Sequence, residues 1–140
     1  MMSMILRESG VNGETGACVF CAVPDERIVA QNRLAYALRD NAPVTRLHTL
    51  ILPKRHASGY FDLALEEKCA IDELIGKVRL AILADAPDVA GFNIGINIGK
   101  VAGQTIFHCH IHLIPRRRGD ALYPEGGVHA AIRRVLGSSV

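Results

Sequence analysis

Hydrophobic and polar residues change their period along the chain, and each change marks an element. Residues 1–16 are rich in Ser, Gly and Asn without any period, and read as a flexible leader to a single domain over residues 17–140. Residues 28–38 mix apolar and polar positions and predict two short strands meeting near Asn32. Asp40, Asn41, Ala42 and Pro43 mark a turn, and the apolar run 47–52, closed by Pro53, predicts a buried strand. Asp62 is the expected N-cap of an amphipathic helix running to about Ala84, with Leu63, Ile71, Leu74, Ile75, Val78 and Ile82 recurring at three- and four-residue steps. The period then falls to two. Phe92, Ile94, Ile96 and Ile98 alternate with Asn93, Gly95 and Asn97. After a turn at 99–103, a second alternating strand is expected over residues 105–114, with Pro115 as its stop. A short C-terminal helix is expected over residues 128–136. Strands with one long helix between them predict an α+β domain on an antiparallel five-stranded sheet.

Composition narrows the function classes. Hydrophobic residues make up 49% of the 140 positions and charged residues 21%, which are globular proportions. With 16 Lys+Arg against 14 Asp+Glu, the net charge of +2 argues against a surface that holds nucleic acid by bulk electrostatics. No apolar run approaches the roughly 18 residues of a membrane span, and residues 1–6 do not read as a secretory signal. A cytoplasmic protein with no membrane partner is expected. Of the four cysteines, Cys18 and Cys21 form a C-x-x-C pair, which is either a redox couple or half of a metal site. Pro24, Asp25 and Glu26 follow in place of a long helix, which favours metal if other ligands exist. Cys69 and Cys109 read as core fillers.

The chemistry concentrates in Phe107-His108-Cys109-His110-Ile111-His112-Leu113-Ile114. In an extended strand His108, His110 and His112 would share one face, rooted roughly 7 Å apart, with Phe107, Cys109, Ile111 and Leu113 facing the core. Imidazole, with an ordinary pKa near 6.5, is mostly neutral at pH 7 and can serve as ligand, base or nucleophile. A solvated histidine face and a metal centre built on all three rings are the competing readings.

Residues 108–114 resemble the H-φ-H-φ-H-φ-φ signature (φ apolar) of the histidine triad, or HIT, family, with Cys at the first φ. Gly103-Gln104-Thr105, Leu50-Ile51-Leu52-Pro53-Lys54-Arg55-His56, Cys18-Val19-Phe20-Cys21 and Ile114-Pro115-Arg116 extend the resemblance in order and spacing. It implies nucleotidyl hydrolysis or transfer. By resemblance His110 attacks the α-phosphorus of a nucleotide and forms a nucleotidyl-imidazole intermediate that water cleaves. His112 and His48 would hold phosphoryl oxygens and orient His110, and Gln104 and Thr105 would lie beside the α-phosphate and leaving group. Asn97 would contact phosphate, and Asp40 would bind the ribose hydroxyls or simply form a turn. His112 stands where the sugar-nucleotide transferase branch has Gln, which favours a hydrolase. Dinucleoside polyphosphates such as diadenosine tetraphosphate, or adenosine phosphoramidates, are the implied substrates. A nucleotide-binding protein with little turnover is the alternative. Two departures lie near the expected nucleoside: Arg46-Leu47 replaces a common Pro-Gly before His48, and Asn41 replaces an apolar residue after Asp40.

The resemblance also implies a closed structural zinc site completed by His56 and His108 beside Cys18 and Cys21, with no metal required for the chemistry. It implies a homodimer in which two sheets join. Arg116, Arg117 and Arg118 read as a solvated charge run, with attraction of polyphosphate as the sharper option.

Overall fold

The computed structural model describes residues 17–121 and 124–128, so the expected leader, and the expected C-terminal helix beyond Val128, lie outside the described residues. Five strands form one antiparallel sheet: β1 (Ile28–Gln31), β2 (Ala35–Arg39), β3 (Thr49–Pro53), β4 (Val89–Gly95) and β5 (Ile111–Arg117), in the order β1-β2-β3-β5-β4. A single long helix, α1 (Leu65–Asp85), separates β3 from β4. This is the α+β architecture expected. Among the described residues no helix is long and apolar enough to cross a membrane.

Strand period explains the layers. Ala35, Ala37, Ile51, Ile111 and Leu113 occupy one face and pack with Ile71, Leu74, Val78 and Ile82 of α1. Those four helix positions fall at 3.6-residue spacing, so the predicted stripe is the buried one. The alternate positions Tyr36, Leu38, Leu50 and Leu52 form a second cluster, closed by Cys18 and Phe20 of the N-terminal segment. The Tyr36 hydroxyl donates to the Phe20 carbonyl and ties that segment down. His112 pairs with Leu50 across β3 and β5, which puts it on this second face.

The tight β1–β2 connection is set by Asn32, whose side-chain oxygen accepts from the backbone N–H of Leu34 and of Ala35 at 3.1 and 2.9 Å. Other local expectations are corrected. Asp62 is not the N-cap of α1. It belongs to a 3₁₀ turn, Tyr60–Asp62, and accepts from Gly59 N–H at 3.1 Å. The helix begins at Leu65 after Ala64, whose N–H donates to Glu67 at 2.8 Å. Glu67 is buried yet ionised, because Arg55 grips it through two bonds of 2.9 and 2.8 Å and holds its carboxyl below the usual range. Cys69, expected in the core, is exposed.

The histidine strand starts later than predicted and runs through Pro115. Residues 104–110 lie outside the ladder: Cys109 N–H donates to Ala57 O at 2.7 Å instead of pairing across a sheet. Pro115 is tolerated because β3 pairs with β5 only at 111–113, so beyond that point one side of β5 is open. Thr45 fills that side, its hydroxyl donating to the Pro115 carbonyl at 2.5 Å. The three triad rings consequently do not stand in a row on one strand face.

Candidate active site

Each ring nitrogen in the triad region is assigned by what faces it. Carbonyl oxygen only accepts, so a nitrogen aimed at one must carry hydrogen; backbone N–H only donates, so a nitrogen receiving it must be bare. His108 is fully buried and its Nε2 donates to Pro53 O at 2.9 Å, which leaves a lone pair on Nδ1. That atom lies 3.5 Å from Cys18 Sγ and 3.6 Å from Cys21 Sγ. His56 Nδ1 lies 3.2 Å from Cys21 Sγ, and the four donor atoms all fall within 4.8 Å of one another. The edges of a tetrahedron around zinc with sulfur and nitrogen ligands are roughly 3.3–3.8 Å, from bond lengths of about 2.3 and 2.0–2.1 Å. The donor set therefore fits zinc in number, softness and spacing, with Pro53 O orienting the histidine ligand from behind. Burial and the neighbouring Cys18 push the Cys21 thiol up to about 11 in the absence of a cation, so this sulfur becomes a thiolate readily only around one.

A second group of candidate ligands, Asp40, His48 and His112, behaves differently. Val44 N–H donates to His48 Nδ1 at 3.0 Å, so the hydrogen of the neutral ring sits on Nε2. His48 Nε2–H then points at His112 Nδ1, 3.0 Å away, with Asp40 Oδ2 at 3.4 Å. His112 must accept at Nδ1 and so presents an Nε2–H donor. A cation among these atoms would have to displace the His48 proton, and Val44 N–H bars that proton from the other nitrogen. The group is a hydrogen-bond relay and not a metal site. Burial, then the neighbouring His110 and His48, lower the His112 pKa to about 4, and burial lowers that of His48, so both rings are neutral at pH 7.

Between these two clusters stands His110. Its Nδ1 donates to the His108 carbonyl at 2.8 Å, leaving the Nε2 lone pair free. Burial lowers its pKa, which keeps the ring neutral and nucleophilic. Phe20 packs edge-on against it with centroids 5.2 Å apart, and also against His108 at 6.0 Å, so one aromatic ring braces both. His110 and His112 line a cavity of about 230 Å³ together with Phe20, Asp40, Asn97 and Thr105.

Of the residues singled out in the sequence, Asp40, Asn97, Thr105, His110 and His112 meet at this cavity. His48 does not reach it: fully buried, it acts only through His112, in place of the expected contact with phosphoryl oxygen. Gln104 is also redirected. Its Oε1 accepts from Gly99 N–H at 2.8 Å, and its Nε2 donates to Ser58 O at 2.7 Å and Ile106 O at 3.1 Å. With donors and acceptor spent, the buried amide shapes the 99–106 loop that presents Thr105, and does not itself face substrate. Asp40 forms the turn, its Oδ1 accepting from Ala42 N–H at 2.9 Å, and its carboxylate also lines the cavity. In the arginine run, Arg116 is held by Asp120 through two bonds of 3.0 Å and Arg117 by Asp88 at 3.1 Å, so neither waits for polyphosphate. Sequence reasoning gave no role to Phe20; its place inside the C-x-x-C pair was the available signal.

Comparison with known proteins agrees with this geometry. The HIT domain profile matches residues 22–119. The chain is 42% identical over 120 residues to an uncharacterised HIT-like protein of Mycobacterium tuberculosis, covering 79% of each. It is 35% identical over 105 residues to an adenosine 5'-monophosphoramidase of Schizosaccharomyces pombe, covering 71% of this chain and 74% of that one. A zinc-bound histidine triad family protein from Mycobacterium smegmatis superposes with a TM-score of 0.69 at 30% identity, covering 89% of this chain and 99% of that one.

Proposed function

The chain belongs to the HIT domain family, and from that premise we propose that it is a cytoplasmic nucleotidyl hydrolase. It cleaves at the α-phosphate of nucleoside phosphoramidates or dinucleoside polyphosphates. The observation that carries this reading is the fixed tautomer of His110, whose Nδ1–H is bound to the His108 carbonyl while Nε2 is left bare at the cavity. In the first step Nε2 bonds to phosphorus and the bond from phosphorus to the leaving nitrogen or oxygen breaks. The ring gains positive charge as that bond forms, and the carbonyl held against Nδ1–H stabilises it. His112 Nε2–H donates to a phosphoryl oxygen, with Thr105 and Asn97 at the same wall and Asp40 accepting from the ribose hydroxyls. Water then cleaves the phosphorus–nitrogen bond and returns the ring to its neutral form. Two displacements, each with lower barriers, replace one difficult step.

Cys18, Cys21, His56 and His108 would hold zinc. With four protein ligands and no open position, a bound ion supplies a covalent-like clamp between the N-terminal segment and the segment carrying His110, and no chemistry. A homodimer is part of the reading. It is supported by β4, whose outer edge meets no further strand among the described residues and whose Ile94 is exposed, 53% accessible.

Incubation with a nucleotide labelled at the α-phosphorus, followed by rapid quenching, tests the mechanism. The expected result is a protein-bound nucleotidyl group that is lost in His110→Ala. Turnover that survives in His110→Ala would overturn it.

A further inference from the structure

Beyond Asp40 the cavity at His110 opens into a second hollow of about 350 Å³, and the two share Phe20, Asp40, Leu50 and Ile106 as walls. The second hollow is a slot with apolar sides, but its rim carries Arg27 and Asn41. Arg27 Nη2 donates to Asn41 Oδ1 at 3.0 Å and to Arg39 O at 3.3 Å. A guanidinium has no acceptor, so the Asn41 amide can meet it only through oxygen, and the amide NH₂ is forced to the other side. Among the described residues nothing accepts from that NH₂. Asp40, the acceptor that also lines the slot, lies on the side shared with the first cavity, where the ribose hydroxyls take it up; at the far rim Arg27 and Asn41 present donors.

We propose that Asn41, held by Arg27, selects 6-oxopurine nucleotides, with guanine or hypoxanthine in the slot, over adenine nucleotides. The inference rests on the nucleotidyl-hydrolase reading, which puts the ribose at Asp40 and hence the base beyond it. Guanine and hypoxanthine present two neighbouring acceptors, O6 and N7, along one edge. Adenine presents N7 beside an amino donor, which meets the donor rim without a partner. Cytosine places an amino donor there as well. The apolar walls accept any flat base; only the rim discriminates.

The test compares guanosine, inosine and adenosine phosphoramidates with one common leaving group, alongside binding of GMP, IMP and AMP to His110→Ala. Guanosine and inosine should be hydrolysed with similar kcat/KM, about tenfold or more above adenosine. Asn41→Leu should bring the ratio close to one. Asn41→Asp keeps the Arg27 contact but replaces the donor with an acceptor, and should favour adenosine. Asn41 is exposed, so these variants fold. An adenosine substrate equal to or better than guanosine, or a ratio unmoved by Asn41→Asp, overturns the proposal while leaving the hydrolase reading intact. Failure to hydrolyse any of the three, together with failure to bind any of the monophosphates, overturns both.

Discussion

Two histidine clusters lie on either side of His110, built from rings at positions 108 and 112, and they do opposite work. At His108 a backbone carbonyl claims Nε2 and leaves Nδ1 bare among two sulfurs and a second imidazole. At His112 a backbone N–H, acting through His48, dictates that Nδ1 accepts and Nε2 donates. The side chains are identical. What differs is the backbone group that reaches each ring first, and that decides ligand against proton donor. Both clusters gather enough donor atoms to hold a metal, but the hydrogen bonds around the rings leave only the Cys18 cluster with lone pairs that fit one.

The contrast can be broken most severely at its sulfur side. Cys18→Ser should remove zinc from the purified protein and cost several kcal/mol of stability, as expected when a tight ligand of the folded state is lost. Metal content by mass spectrometry and denaturant unfolding measure both, and unchanged metal would place the ion elsewhere. At the relay side, His48→Ala should lower kcat by about 10²-fold while leaving zinc content as it was. A loss of zinc in that variant would show that the two clusters are not separate.

Acid sharpens the same comparison. His112 has a folded pKa of about 4, below the value of about 6.5 in the unfolded chain. Between these two values the unfolded chain binds more protons, so the contribution to stability is complete above about pH 6.5 and drains away as pH falls towards 4. A gap of that size is worth about 3 kcal/mol. Unfolding free energies at pH 7.5 and 4.5 should therefore fall more steeply in the parent than in His112→Asn. Parallel slopes would mean that the buried ring is not the titrating group.

The smallest effect concerns the entry to the relay. Leu47, just before His48, has φ 74°, a left-handed conformation that costs an L-residue about 1–2 kcal/mol. Its side chain still packs against the core. Leu47→Gly relieves the strain and loses the packing, so stability should stay within about 1 kcal/mol of the parent, against the 2–5 kcal/mol of an ordinary buried Leu→Ala. A larger loss in urea unfolding would show that the turn carries no strain.

Much of the fold was legible because it repeats. Ile71, Leu74, Val78 and Ile82 announce the helix, and the strands at Ala35–Arg39 and Thr49–Pro53 follow from apolar runs closed by turn residues. The site was legible in its cast but not in its assignments. Alternation at 107–114 suggested a strand face, yet strand pairing begins only at Ile111, since Cys109 finds its partner at Ala57. Gln104 and His48 sit near the cavity in sequence terms, but their roles depend on Ser58, Gly99 and Val44, which carry no signal of their own. Local pattern predicts elements; hydrogen bonds between distant backbone groups decide what a side chain there can do.

Ring nitrogens report this division directly. Long-range proton–nitrogen spectra of the zinc-loaded protein at pH 7 should show His110 protonated at Nδ1, His48 and His112 protonated at Nε2, and His56 and His108 with Nδ1 shifted by metal. Hydrogen on Nε2 of His110, or on Nδ1 of His112, would contradict it.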